Sequence, residues 1–109
     1  MDLFDYEREI YILENIGTCA VLDQCAEECC ELAQACLKMG KKIRGQNPTP
    51  KNIDEIEKSL KEELADVSVC ISVLMNANDL ITYDELEKIF DVKIKRWVER
   101  IMDSKIEKE

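Results

Sequence analysis

Two pairs of acids stand three residues apart, Glu28 with Glu31 and Glu63 with Asp66. On a helix that spacing puts both members of a pair on one face, about one turn apart. Each pair is set in an apolar context, Glu28-Cys29-Cys30-Glu31-Leu32 and Glu63-Leu64-Ala65-Asp66-Val67. Carboxylates turned toward a core are costly unless something neutralises them. Four that converge repel one another and take up protons. A divalent cation is the natural counter-charge, and an all-oxygen ligand set favours Mg²⁺, with Mn²⁺ as the substitute. Such a cation also lets an acidic surface hold a small anion. One acidic pair alone would be an ordinary solvated face. Two pairs bordering apolar seams on neighbouring helices point to a site instead. Gln24 and Lys38 share the face of Glu28 and Glu31 and are candidate substrate contacts.

Other metals fit less well. The chain has no histidine, which removes the Glu-x-x-His pattern of di-iron bundles. Its six cysteines include no Cys-x-x-Cys pair, so zinc is not expected. Cys25, Cys29, Cys30 and Cys36 fall within one expected helix, where they project at different levels of a single rod. The thiols therefore read as reduced, mostly buried small hydrophobes rather than a disulfide framework.

The acids need helices to carry them. The first spans about Phe4 to Ile16 and stops at Gly17. Thr18 caps a second that runs to about Arg44, and Gly45–Pro50 forms the loop after it. Asn52, with Glu55 three residues on, caps a third reaching about Asn78. Thr82-Tyr83-Asp84-Glu85 is a capping box for the fourth, which continues to near Ser104 before a tail, 105–109, that frays. Leu22, Cys25, Cys29, Leu32 and Cys36 step by threes and fours, as do Leu60, Leu64, Val67, Ile71 and Leu74. These two seams predict a central antiparallel pair in an all-α, four-helix bundle.

The chain has 109 residues, the size of one domain, and the whole of 1–109 reads as such. A net charge of −9 disfavours a nucleic-acid polymer or an anionic membrane as partner. No apolar stretch approaches bilayer length and no export signal is evident, so a cytoplasmic location is expected. A bundle this short buries little surface alone, which predicts a homo-oligomer with a two-fold dimer as its minimal unit.

Glu27-Glu28-Cys29-Cys30-Glu31-Leu32 and Glu62-Glu63-Leu64-Ala65-Asp66-Val67 resemble the motifs of the MazG-like branch of the all-α NTP pyrophosphohydrolase superfamily. Its relatives include dimeric dUTPases, dCTP pyrophosphatases and phosphoribosyl-ATP pyrophosphohydrolases. The resemblance covers about Ile16 to Ile101, with a long interval between the motifs that falls in the Gly45–Pro50 loop. It implies a MazG-like bundle and hydrolysis of the α–β phosphate bond of a nucleoside triphosphate to the monophosphate and pyrophosphate. It also implies Glu28, Glu31, Glu63 and Asp66 as Mg²⁺ ligands, and a dimer of dimers as the larger assembly. Lys93 and Arg96 match the family's basic pattern on the last helix and would meet the triphosphate. A carboxylate not fully committed to metal, Glu27 or Glu31, would orient or deprotonate the attacking water. Trp97 and Tyr83 are either stacking surfaces for a base or core residues. Two other readings remain at this level: a narrow-substrate relative such as a dUTPase, and a non-catalytic helical adaptor or regulatory module.

Overall fold

The structure is a computed structural model that describes residues 3–45, 52–77 and 80–108, and these form helices and short connections with no strand. Three helices stand where four were expected: α1, Leu3–Arg44; α2, Ile53–Leu74; and α3, Tyr83–Lys108. The first two expected helices are joined as α1, which breaks at Gly17 with φ 83° and ψ 164°. That backbone conformation is open almost only to glycine. A Cβ there would meet no atom within 4 Å, so the requirement is conformational rather than steric.

The other boundaries follow local chemistry. Gly45, at φ 67°, donates its N–H to the Lys41 carbonyl at 2.9 Å and closes α1. The rest of the expected loop, 46–50, lies outside the described residues. Asn52 caps α2 by accepting the Glu55 N–H at 2.9 Å. α2 stops at Leu74, short of its expected end at Asn78, which also lies outside the described residues. At α3, Thr82 Oγ1 accepts the Glu85 N–H at 3.2 Å and donates to the Glu85 carboxylate at 3.2 Å. α3 runs on to Lys108, so the tail expected to fray from Lys105 is helical.

The chain divides into two units, Met1–Ala77, which holds α1 and α2, and Asn78–Glu109, which holds α3. In the first unit, residues 31–38 of α1 share a cleft with residues 56–63 of α2, while Cys25 lies near Cys70. Those pairings run in opposite directions along the two helices, so α1 beyond Gly17 and α2 are antiparallel. The inward stripe of α1 is Val21, Cys25, Glu28, Leu32 and Ala35, and that of α2 is Ile56, Leu60, Glu63, Val67 and Cys70. Both step strictly by fours and threes, as in a coiled-coil seam. The expected seams were partly out of phase, since Leu22, Cys29, Cys36, Leu64 and Ile71 are exposed.

Glu9 ties the segment before Gly17 to the C-terminal end of α2. Its carboxylate accepts from the Ser72 hydroxyl and from Asn76 Nδ2, the latter at 2.6 Å. In the second unit, every residue of 82–107 is exposed, including Phe90 and Trp97.

The cysteines are free thiols, but the expectation of general burial fails. Only Cys70 is buried and Cys25 half-buried, while Cys19, Cys29, Cys30 and Cys36 are exposed. Burial pushes the Cys70 thiol up, reinforced by the nearby charges of Glu28 and Asp66. Burial also raises Cys25, with a hydrogen bond from its thiol to Cys29 adding to it. A raised thiol holds less thiolate and reacts slowly. Thiol titration of the native protein should therefore show prompt reaction at the four exposed cysteines and delayed reaction at Cys25 and Cys70. Unfolding should merge the two phases, and a single native phase for all six would contradict the assignment.

Candidate metal centre

The in-phase position of each seam that should be apolar is, once per helix, a glutamate: Glu28 on α1 and Glu63 on α2. The antiparallel packing brings them face to face, and Glu31, one turn along α1, joins them. One carboxylate oxygen from each of Glu28, Glu31 and Glu63 lies within 4.8 Å of the other two. Glu28 and Glu63 are half-buried and Glu31 is exposed, so the cluster sits at the lip of the helix interface.

Few protein donors serve these acids. Gln24 Nε2 donates to Glu28 Oε1 at 2.8 Å, from one turn earlier on α1. The amide is thus engaged in orienting a carboxylate. The other Glu28 oxygen, Oε2, and the Glu63 oxygen Oε2 are both buried with no hydrogen-bond partner. Buried acceptors without donors are rare and costly in folded proteins.

The electrostatics carry the same mark. The Glu63 carboxyl is pushed up from 4.5 to about 7, first by burial, then by the charge and a hydrogen bond of Glu31, then by the charges of Glu28 and Asp66. Like charges in a desolvated place favour the protonated form. The folded chain therefore keeps a proton on Glu63 that the unfolded chain has lost between pH 4.5 and about 7. Stability must fall as pH rises through that window, because the folded state binds more protons there. With chelator present, the melting temperature of wild type relative to Glu63→Gln should decline between about pH 5 and about pH 8. A difference that stays flat across that range would show that Glu63 titrates normally.

Asp66 is exposed and stands outside the three-carboxylate group, though its charge reaches Glu63. It therefore does not turn toward the core with Glu63, as the shared face of the pair predicted. Glu27 is exposed and likewise outside the group. Lys38 does lie beside the cluster. It lines a cleft of about 170 Å³ whose walls include Glu31 and Glu63. Three larger hollows, about 460 Å³ beside Trp97 on α3, about 480 Å³ at Ile12 and Val69 and about 340 Å³ at Asp54 and Lys58, hold none of the three glutamates. Lys93 and Arg96 are exposed on α3, in the second unit, and form no ion pair among the described residues. Tyr83 and Trp97 are also exposed.

The donor set fits a hard divalent cation. Three carboxylates on two helices offer oxygens close enough to share one ion, and two of those residues hold oxygens that lack any other partner. No described helix is long and apolar enough to cross a membrane. Compared with known proteins, the chain matches no family model, no curated protein and no solved structure.

Proposed function

We propose that the chain is a Mg²⁺-dependent nucleoside triphosphate pyrophosphohydrolase of the MazG-like, all-α kind, cleaving an NTP or dNTP to the monophosphate and pyrophosphate. The observation that supports it best is the pair of buried, partnerless oxygens on Glu28 and Glu63, facing each other across two seams. Placing two acids in the seam between α1 and α2 makes little sense for stability. It makes sense if a cation completes them.

The residues divide the work. Glu28, Glu31 and Glu63 hold the ion, and Asp66 adds negative charge or an outer ligand from one turn along α2. Gln24 fixes the Glu28 carboxylate in place, as outer-shell partners of metal ligands do. When bound, Mg²⁺ neutralises phosphate oxygens and lowers the pKa of nearby water. Water attacks the α-phosphorus in line, forming one P–O bond as the bond to the β-phosphate oxygen breaks. Glu31 is the better base of the two candidates, because it borders both the cluster and the open cleft. Glu27 lies outside both. Lys93 and Arg96 are assigned to the pyrophosphate charge, supplied by the same chain or by a neighbouring copy in a homo-oligomer.

The test is a panel of ribo- and deoxyribonucleoside triphosphates with Mg²⁺, read as released pyrophosphate. Release from one or several of them supports the reading, and confinement to dUTP would place the chain with the narrow-substrate relatives. No release together with no heat of Mg²⁺ binding would make it a non-catalytic helical module.

A further inference from the structure

The cleft beside the three glutamates has a composition of its own. Its floor is Ala35 and Ile56, both buried. Its walls carry Lys38, Gln34 and Ser59, and its inner end is formed by Glu31 and Glu63. Lys38 stands seven residues, two helical turns, beyond Glu31, about 10 Å along α1. A lysine side chain spans much of that distance. In a chain of net charge −9, Lys38 forms no ion pair among the described residues. An unpaired cation opposite a carboxylate cluster, with an amide and a hydroxyl between, suits an extended anion that is metal-bound at one end. An ammonium bonds more strongly to charged phosphate oxygens than to the neutral acceptors of a nucleobase.

We infer that this cleft is the seat of the distal phosphates: Lys38 binds the end of the phosphate chain remote from the metal, with Gln34 and Ser59 as hydrogen-bond partners along it. The inference rests on the proposed metal centre and adds a phosphate contact within the first unit, independent of α3. A cleft of about 170 Å³ has room for a pyrophosphate-sized group and little more. Recognition is then by chain length: triphosphate fills the cleft, and monophosphate leaves it empty.

The experiment uses the full chain and calorimetry. Inorganic pyrophosphate is titrated with Mg²⁺ present, and Mg²⁺ is titrated alone, for wild type, Lys38→Met and Lys38→Arg, with melting temperatures recorded for each. The expected result is a loss of about tenfold in Mg-pyrophosphate affinity for Lys38→Met, the scale of one charge-assisted hydrogen bond. Affinity for Mg²⁺ alone should be unchanged, and Lys38→Arg should recover most of the pyrophosphate affinity. Unchanged pyrophosphate binding in a folded Lys38→Met that still binds Mg²⁺ overturns the inference and leaves the metal centre standing. An equal loss for Mg²⁺ alone also overturns it, since the effect would not be on phosphate. Wild type that binds neither Mg²⁺ nor pyrophosphate overturns the metal centre and this inference together.

Discussion

Exchanging Glu63 for Gln should lower Mg²⁺-dependent pyrophosphate release by on the order of a hundredfold or more, while making the metal-free protein harder to unfold. The two effects have one cause. Glu63 occupies a seam position, carries a buried oxygen without a donor, and faces Glu28 and Glu31. Without a cation its charge is a liability, shown by a carboxyl driven up to about 7. Gln keeps the shape, removes the charge, and brings an NH₂ that can donate to the Glu31 or Glu28 carboxylate. With a cation the same change deletes a ligand, and ligand loss should exceed the cost of losing an outer-shell partner. Release rates and melting curves with chelator, measured on one preparation, check both halves. Activity near wild type in a folded Glu63→Gln would remove Glu63 from the site. Glu27→Gln, outside the cluster, should retain most activity, and a collapse there would move the base from Glu31 to Glu27.

The fold and the site were legible in the sequence to different depths. Helix starts were readable wherever a side chain makes a specific bond: Asn52 and Thr82 both cap where their chemistry predicted. The seams were harder. Large residues such as Leu22, Leu64 and Ile71 drew the apolar stripe toward themselves, yet they are exposed. The buried residues are mostly smaller ones, Val21, Ala35, Val67, Cys70 and Val73, with Ile56 as the exception. Hydrophobicity ranks size, whereas close packing of two helices along a seam selects shape. That error in phase also explains Asp66, which shifts out of the interface once Glu63 shifts in. The acid pairs themselves were recognisable because charge inside an apolar run is conspicuous at any phase. Glu9 gave no comparable signal. Its bonds to Ser72 and Asn76 join residues more than sixty apart in the chain, and nothing local announces them. Nor does spacing reveal Gln34 and Ser59, which become neighbours of Lys38 only once the register of α1 against α2 is fixed.

In solution the protein should have at least twice the 12.6 kDa mass of the chain. Six apolar side chains are buried among the described residues, against twenty-two large apolar side chains that are exposed. A stable monomer rarely leaves so much apolar surface in contiguous stripes. On α3, Leu86, Phe90, Ile94, Trp97 and Ile101 follow one another by fours and threes, and all are exposed. That is the spacing of a helix made to pack against another. Leu64 and Ile71 form a second exposed pair, seven residues apart on α2. A homo-oligomer that covers such stripes supplies the core that the chain lacks alone. Placing a charge in the middle of the α3 stripe, as in Phe90→Lys, should weaken association by about 2 kcal/mol or more, roughly thirtyfold in dissociation constant. Light scattering at micromolar concentration measures the mass, and far-UV circular dichroism of the same sample shows whether the helices survive. The association also bears on catalysis. If Lys93 and Arg96 of one copy serve the carboxylates of another, dissociation must remove them, and activity per chain should fall on dilution together with the mass. A 12.6 kDa particle with full, dilution-independent activity would refute both the assembly and the shared site.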